Sequence, residues 1–143
     1  MNLPPDFEFH ETIHLLIYRP RGVLNRESVN EILKVIAELE GTLTEPFNRF
    51  WDATHYEKVD LDFQFTTEVS LSRRREVAGR PSFKSAFLAS DPRVTHYAKL
   101  LAVLTQGSPI KIRIFESREE AAKWLEVPLE VLAPKMTTDQ GQE

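Results

Sequence analysis

The chain has 143 residues, a net charge of −4 and no cysteine. That length suits one compact domain, and the missing thiols exclude disulfides, thiolate zinc sites and cysteine nucleophiles. The acidic balance argues against a dedicated nucleic-acid partner, no apolar run approaches the roughly 18 residues of a membrane span, and Met1 to Asp6 lacks the basic flank and apolar stretch of a signal peptide, so a cytoplasmic protein is expected.

Phe7 to Glu11 alternates apolar and polar residues and predicts a half-buried strand. Thr12 to Tyr18 is richer in apolar residues and predicts a more central one. The short gap between them suits an antiparallel hairpin. Arg19 to Gly22 breaks regular structure. Asn25 is a candidate helix N-cap, and Val29, Ile32, Leu33, Ile36 and Leu39 recur at helical spacing as far as Gly41. Phe47 to Asp52 reads as a strand and Asp52 to Lys58 as a loop. Leu61 to Phe65 reads as a loop leading into a helix over Thr66 to Ala78, with Gly79 and Pro81 as stop signals.

Ser82 to Ala89 is the next expected strand. Ser90-Asp91-Pro92 supplies a cap and an early proline for a helix that buries Val94, Tyr97, Ala98, Leu101, Ala102 and Leu104 and closes at Gly107. Ile110 to Phe115 alternates cleanly and predicts a strand. Ser117 starts a helix that Pro128 stops. Residues 133–143 offer nothing to a core and read as a disordered tail behind a domain of residues 1–132. The order β-β-α-β-α-β-α-β-α describes a single α/β domain: a mixed, largely parallel sheet with a leading antiparallel hairpin and flanking helices. Right-handed crossovers would lay the helices against that sheet.

The five glycines are dispersed, so neither a dinucleotide-binding nor a Walker phosphate loop exists. His10, His14, His55 and His96 form no HxH or HExxH pattern, which points to no metal site and no metal cofactor. There is no GxSxG elbow either. The richest polar stretch follows the Phe47–Asp52 strand, where α/β sheets place ligands. It holds Asp52, His55, Tyr56, Asp60 and Asp62, and structural loop chemistry, a binding site and an Asp52-His55-Tyr56 catalytic group are the readings open there. Arg73-Arg74-Arg75 is the basic run. Consecutive helical residues point about 100° apart, so it reads as a solvated face or, with Arg80 and Lys84, as a site for a phosphate or an acidic partner. Phe47, Trp51, Phe63 and Phe65 flank the same stretch, as core or as the lining of an apolar pocket.

The closing segments, Ile112-Arg113-Ile114-Phe115 and Glu119-Glu120-Ala121-Ala122-Lys123-Trp124-Leu125, together with the opening Leu15-Leu16-Ile17-Tyr18 to Gly22, resemble the SpoIIAA-like branch of the STAS-type domains over roughly residues 7 to 127. The resemblance implies a mixed sheet with packed helices and action by binding rather than catalysis. Phosphorylatable members carry a serine in the region of Val59-Asp60-Leu61-Asp62-Phe63, where this chain has acidic residues. The expectation is a non-enzymatic regulatory or protein-binding module, cytoplasmic, without the phosphoserine switch, with a homo-oligomer open to it. The alternative is a carrier or sensor for a small apolar, lipid-like ligand.

Overall fold

The structure, a computed structural model, describes residues 3–134. Its main sheet has five strands, β1 (Phe7–His10), β2 (Leu15–Tyr18), β4 (Asn48–Asp52), β6 (Phe83–Leu88) and β7 (Ile110–Phe115), in the spatial order β1-β2-β4-β6-β7. β1 pairs antiparallel with β2 and every other neighbour is parallel. The expected hairpin and mixed sheet are thus present.

A second, two-stranded parallel sheet joins β3 (Gly22–Asn25) to β5 (Tyr56–Asp60). The sequence predicts a break ending at Gly22, a helix cap at Asn25 and a loop over Asp52 to Lys58, so this sheet is a correction. Its origin lies in the main sheet. Parallel strands β2 and β4 each run off their carboxyl ends, bend over three residues, and pair again as β3 and β5. The partner moves on by one residue across the bend, from Tyr18↔Trp51 to Gly22↔Tyr56, and by another between Gly22 and Val23. Gly22 has a φ of +80° at that irregularity, a conformation a β-carbon disfavours.

Each parallel connection carries a helix: α1 (Arg26–Thr42), α2 (Phe63–Glu76) and α3 (Pro92–Leu104). α4 (Arg118–Leu125) and α5 (Leu129–Leu132) follow β7. α2 begins at Phe63 rather than Thr66, because the Asp62 carboxylate accepts from the Phe65 amide at 2.7 Å and caps the helix there. β2 begins at Leu15 rather than Thr12, because Glu11–Ile13 form a 3₁₀ turn that ends with His14 in the left-handed region, φ 49°. α5 falls beyond the expected stop at Pro128, which serves as its N-cap residue. The tail expected over residues 133–143 lies outside the described residues apart from Ala133 and Pro134.

Register fixes the layers. Side chains alternate along a strand and parallel partners share a face, so Leu16, Tyr18, Arg49, Trp51, Ser85, Phe87, Ile112 and Ile114 stand on one side of the sheet. Leu15, Ile17, Phe50, Ala86, Leu88 and Phe115 stand on the other. The first side packs toward Val29 of α1, Val69 of α2 and Tyr97, Ala98 and Leu101 of α3. The second packs on Ala121, Ala122 and Leu125 of α4 and Leu132 of α5.

The start of α1 is held by a reciprocal cap. Asn25 Oδ1 accepts from the Ser28 amide at 2.9 Å, and Ser28 Oγ accepts from the Asn25 amide at 2.9 Å. Asn25→Ala removes one half of that box and is expected to cost about 1 kcal/mol, read as a lower urea midpoint with an unchanged m-value.

Candidate functional site

The face covered by α1, α2 and α3 is not completely filled. A cavity of about 90 Å³ remains between it and the helices. The sheet contributes Tyr18, Arg49, Trp51, Ser85, Phe87 and Ile112 to its wall, and the helices contribute Leu33 and Ile36 of α1, Val69 of α2 and Leu101 of α3. The wall is therefore apolar with a few polar groups, the character of small-molecule sites.

The lining follows from the sequence. Arg49, Trp51, Ser85 and Phe87 occupy the alternate positions of β4 and β6 that point toward α1–α3. Ser85 is the small residue of that set and leaves room between Arg49 and Phe87. On α1 the apolar stripe is wider than the sheet beneath it covers. Val29, Ile32 and Leu39 are buried, whereas Leu33 and Ile36 are half-buried beside the cavity.

The wall toward the carboxyl ends of the strands is aromatic. Trp51 meets Phe87 at 4.5 Å between ring centroids, Tyr18 at 5.7 Å and Tyr97 at 6.4 Å. Tyr56 of β5 packs behind this group. Trp51 Nε1 and the Tyr56 hydroxyl are buried neighbours of each other, and neither is in good hydrogen-bond geometry, a state that ordinarily costs stability. Burial, reinforced by Asp6 and Glu31 and partly opposed by the neighbouring Tyr56 hydroxyl, pushes the Tyr18 hydroxyl up to about 12. Burial also raises those of Tyr56 and Tyr97. All three are neutral donors at physiological pH.

The wall toward the amino-terminal ends of the strands is ionic. Glu40, in the last turns of α1, accepts from Arg49 Nη2 at 2.8 Å, from Arg73 Nη2 at 2.8 Å and from Arg73 Nη1 at 3.1 Å. Arg73 also donates to Glu76 at 2.7 Å. The Arg49 guanidinium lies between the rings of Phe47, 4.2 Å away, and Phe83, 3.6 Å away. This network ties α1, α2 and β4 together.

The residues that the sequence grouped after β4 are distributed. Asp52 is fully buried on the face opposite the cavity. It accepts from Arg118 Nη2 at 2.8 Å and from Thr54, at 2.6 Å from the hydroxyl and 3.2 Å from the amide. His55 and Asp60 are exposed, Tyr56 turns toward the cavity side, and Asp62 caps α2. Among the described residues no hydrogen bond or ion pair joins any two of these five. Within the basic run, Arg73 and Arg74 have structural partners, Arg73 in the Glu40 network and Arg74 on the carbonyl of Gln106 at 2.6 Å, just beyond the end of α3. Of the four aromatics expected to line a pocket, Trp51 lines the cavity, Phe47 packs edge-on against Phe9 and lines a second cleft, and Phe63, 65% exposed at the start of α2, lines with Asp62 a third cleft between α2 and α3. Phe65 is in the core under the Arg26 guanidinium.

Tyr18, Arg49, Ser85 and Glu40 are the contributors that pattern reading missed. Arg49 carried a signal, since a charge in the middle of an apolar strand requires a buried partner. Tyr18 and Ser85 carried one only through register.

No family model matches this chain, and a search of curated proteins finds no significant match. Among solved structures it is similar to an uncharacterized protein from the DUF3478 family, from Shewanella loihica PV-4, described as having a SpoIIAA-like fold. The TM-score is 0.52 at 17% identity, over 83% of this chain and 90% of that one. The fold is SpoIIAA-like. The resemblance carried by Ile112–Phe115 and by the Ala121–Leu125 helix therefore holds at the level of fold. No described helix of this SpoIIAA-like chain is long and apolar enough to cross a membrane.

Two buried carboxylates set the acid stability. Burial disfavours the Asp52 anion, but the Thr54 and Arg118 bonds outweigh it and hold the group below its ordinary 3.8. For Glu40, burial is likewise outweighed by Arg73 and Arg49, which hold it below 4.5. A carboxyl depressed in the folded state adds stability above its unfolded value and loses it as pH falls through the folded one. The urea midpoint is expected to fall steeply below about pH 4, and Asp52→Asn and Glu40→Gln should each flatten that limb when midpoints are measured from pH 6 to pH 3.

Proposed function

We propose that this chain is a non-enzymatic binding module of the cytoplasm that takes a small apolar, lipid-like ligand between its sheet and helices α1–α3. The observation that carries this reading is the apolar cavity, bordered by Trp51, whose indole N–H is not in good hydrogen-bond geometry. Domain interiors are packed with few voids larger than a water molecule. An empty cavity costs about 24 cal/mol per Å³, so about 90 Å³ corresponds to roughly 2 kcal/mol of packing forgone. A ligand that fills the space recovers that packing. An ester, amide or ketone oxygen on it would accept from Trp51 Nε1. Cavities of about 150 Å³ hold benzene, so a longer chain requires the half-buried Leu33 and Ile36 side of α1 to yield.

The SpoIIAA-like fold is in keeping with a binding role. So is the dispersal of Asp52, His55 and Tyr56, which leaves no carboxylate oriented on an imidazole at the end of β4. A regulatory role follows if occupancy changes how α1 sits, because that helix borders both the cavity and the solvent.

Native mass spectrometry of gently purified protein is expected to show a substoichiometric or stoichiometric apolar adduct that denaturation removes. Ligand added at a hundred times its dissociation constant should raise stability by about 2.7 kcal/mol. Ser85→Leu fills the cavity from the sheet side and is expected to raise the melting temperature, with about 1 kcal/mol of added stability, while abolishing the ligand-induced shift. A Ser85→Leu protein that keeps the full shift would remove the cavity as the binding element.

A further inference from the structure

A second cleft, of about 250 Å³, opens at the amino-terminal ends of β4 and β6 on the far side of Arg49 from the cavity wall. Leu43, Pro46, Phe47 and Pro81 form its apolar sides and Arg49 and Arg80 its cationic ones, and Glu40 also borders it. Arg49 is 8% exposed. One of its nitrogens, Nη2, donates to Glu40, and Nε is buried with no partner.

The buried carboxylate is unevenly shared. Glu40 serves the guanidiniums of both Arg49 and Arg73. Among the described residues Arg73 has a second carboxylate in Glu76, whereas Arg49 has only its share of Glu40. Arg80 adds a third cation at the rim, and among the described residues its hydrogen bond is to the Glu40 carbonyl at 3.4 Å. Glu45 also lines the cleft but is itself exposed and paired with His14 at 3.4 Å. Burial, together with the like charges of Arg73 and Arg80, outweighs Glu40 and lowers the Arg49 pKa to about 10. A buried cation with half a partner is costly, and one negative charge delivered into the cleft would compensate it.

We propose that this cleft binds a small carboxylate bearing an apolar group, its carboxylate received by Arg49 and Arg80 and its apolar part lying against Leu43, Pro46, Phe47 and Pro81. The planar guanidinium fork of an arginine that holds only a share of one carboxylate matches a ligand carboxylate. The apolar walls favour an aryl or branched alkyl substituent over a bare oxyanion. Glu40 is then an internal carboxylate that already occupies part of the same donor set.

The test is a benzoate titration of the full chain at constant ionic strength, followed by melting temperature and by the Arg Nε–H resonances in ¹⁵N-labelled protein. Acetate, inorganic phosphate and benzyl alcohol are the comparators. Benzoate is expected to bind saturably and more tightly than acetate or phosphate, and to move the Arg49 Nε–H resonance. Arg80→Gln, on the exposed rim, should weaken benzoate about tenfold. Glu40→Gln, if it folds, should tighten it by freeing donors. Phosphate binding tighter than benzoate would overturn the ligand class, and an unchanged Arg80→Gln affinity would overturn the site. Benzyl alcohol binding as tightly as benzoate would place the ring in the apolar cavity instead, sparing the cavity reading and ending this one. A titration in which Ser85→Leu loses benzoate and Arg80→Gln keeps it would do the same.

Discussion

Strand β4 is paired along both edges, so its register cannot slip by one residue without turning every one of its side chains to the opposite face. That constraint sorts five consecutive residues into two environments. Phe50 and Asp52 go to the α4 side, where Phe50 is fully buried in the core and Asp52 meets Arg118. Arg49 and Trp51 go to the α1–α3 side, where one anchors the ion network and the other the aromatic wall. Both the cavity and the cleft depend on this single alternation, because Arg49 stands between them.

The ionic and apolar parts of the site also depend on each other. α1 lies across the sheet with Leu33 and Ile36 only half-buried over the cavity, so its apolar contact there is incomplete. Its far end is fastened instead by Glu40 to Arg49 and Arg73. Burying three charges together is offset by mutual attraction only when the geometry is good, and the stacking of Arg49 between Phe47 and Phe83 supplies part of that geometry. A helix held at its end by an ion network and left loosely packed in its middle is suited to admit a guest beneath it.

The main sheet was largely legible. Ile110–Phe115 alternates so regularly that its limits were read to the residue, and Asn25, Asp91 and Ser117 each carried a cap signal that the structure uses. The small sheet was not legible. In β3 only Leu24 is buried, and in β5 Tyr56 and Val59 are half-buried among Glu57, Lys58 and Asp60, so neither strand shows a period long enough to stand above loop composition. The polar stretch after β4 misled for a related reason. Nearness in sequence became divergence in space once the bend between β4 and β5 broke the strand alternation, leaving Asp52 on Arg118 and Tyr56 beside the aromatic wall. Phe63 and Phe65, two apart on a helix rather than a strand, likewise face apart. The site was written in alternate positions of different strands, and register, not composition, brings those together.

The two-stranded sheet has a further consequence. α1 starts immediately after β3 and α2 two residues after β5, so the first turns of both helices hang from one short ladder with a single fully buried apolar side chain, Leu24. Separating β3 from β5 unfastens both helices together, without disturbing the pairing of β2 with β4 beyond the bend. The chain thus contains a subunit of opening smaller than global unfolding: the ladder and the two helix starts form one cooperative segment, and the amides on α1 and α2 nearest it share a common route to solvent exchange.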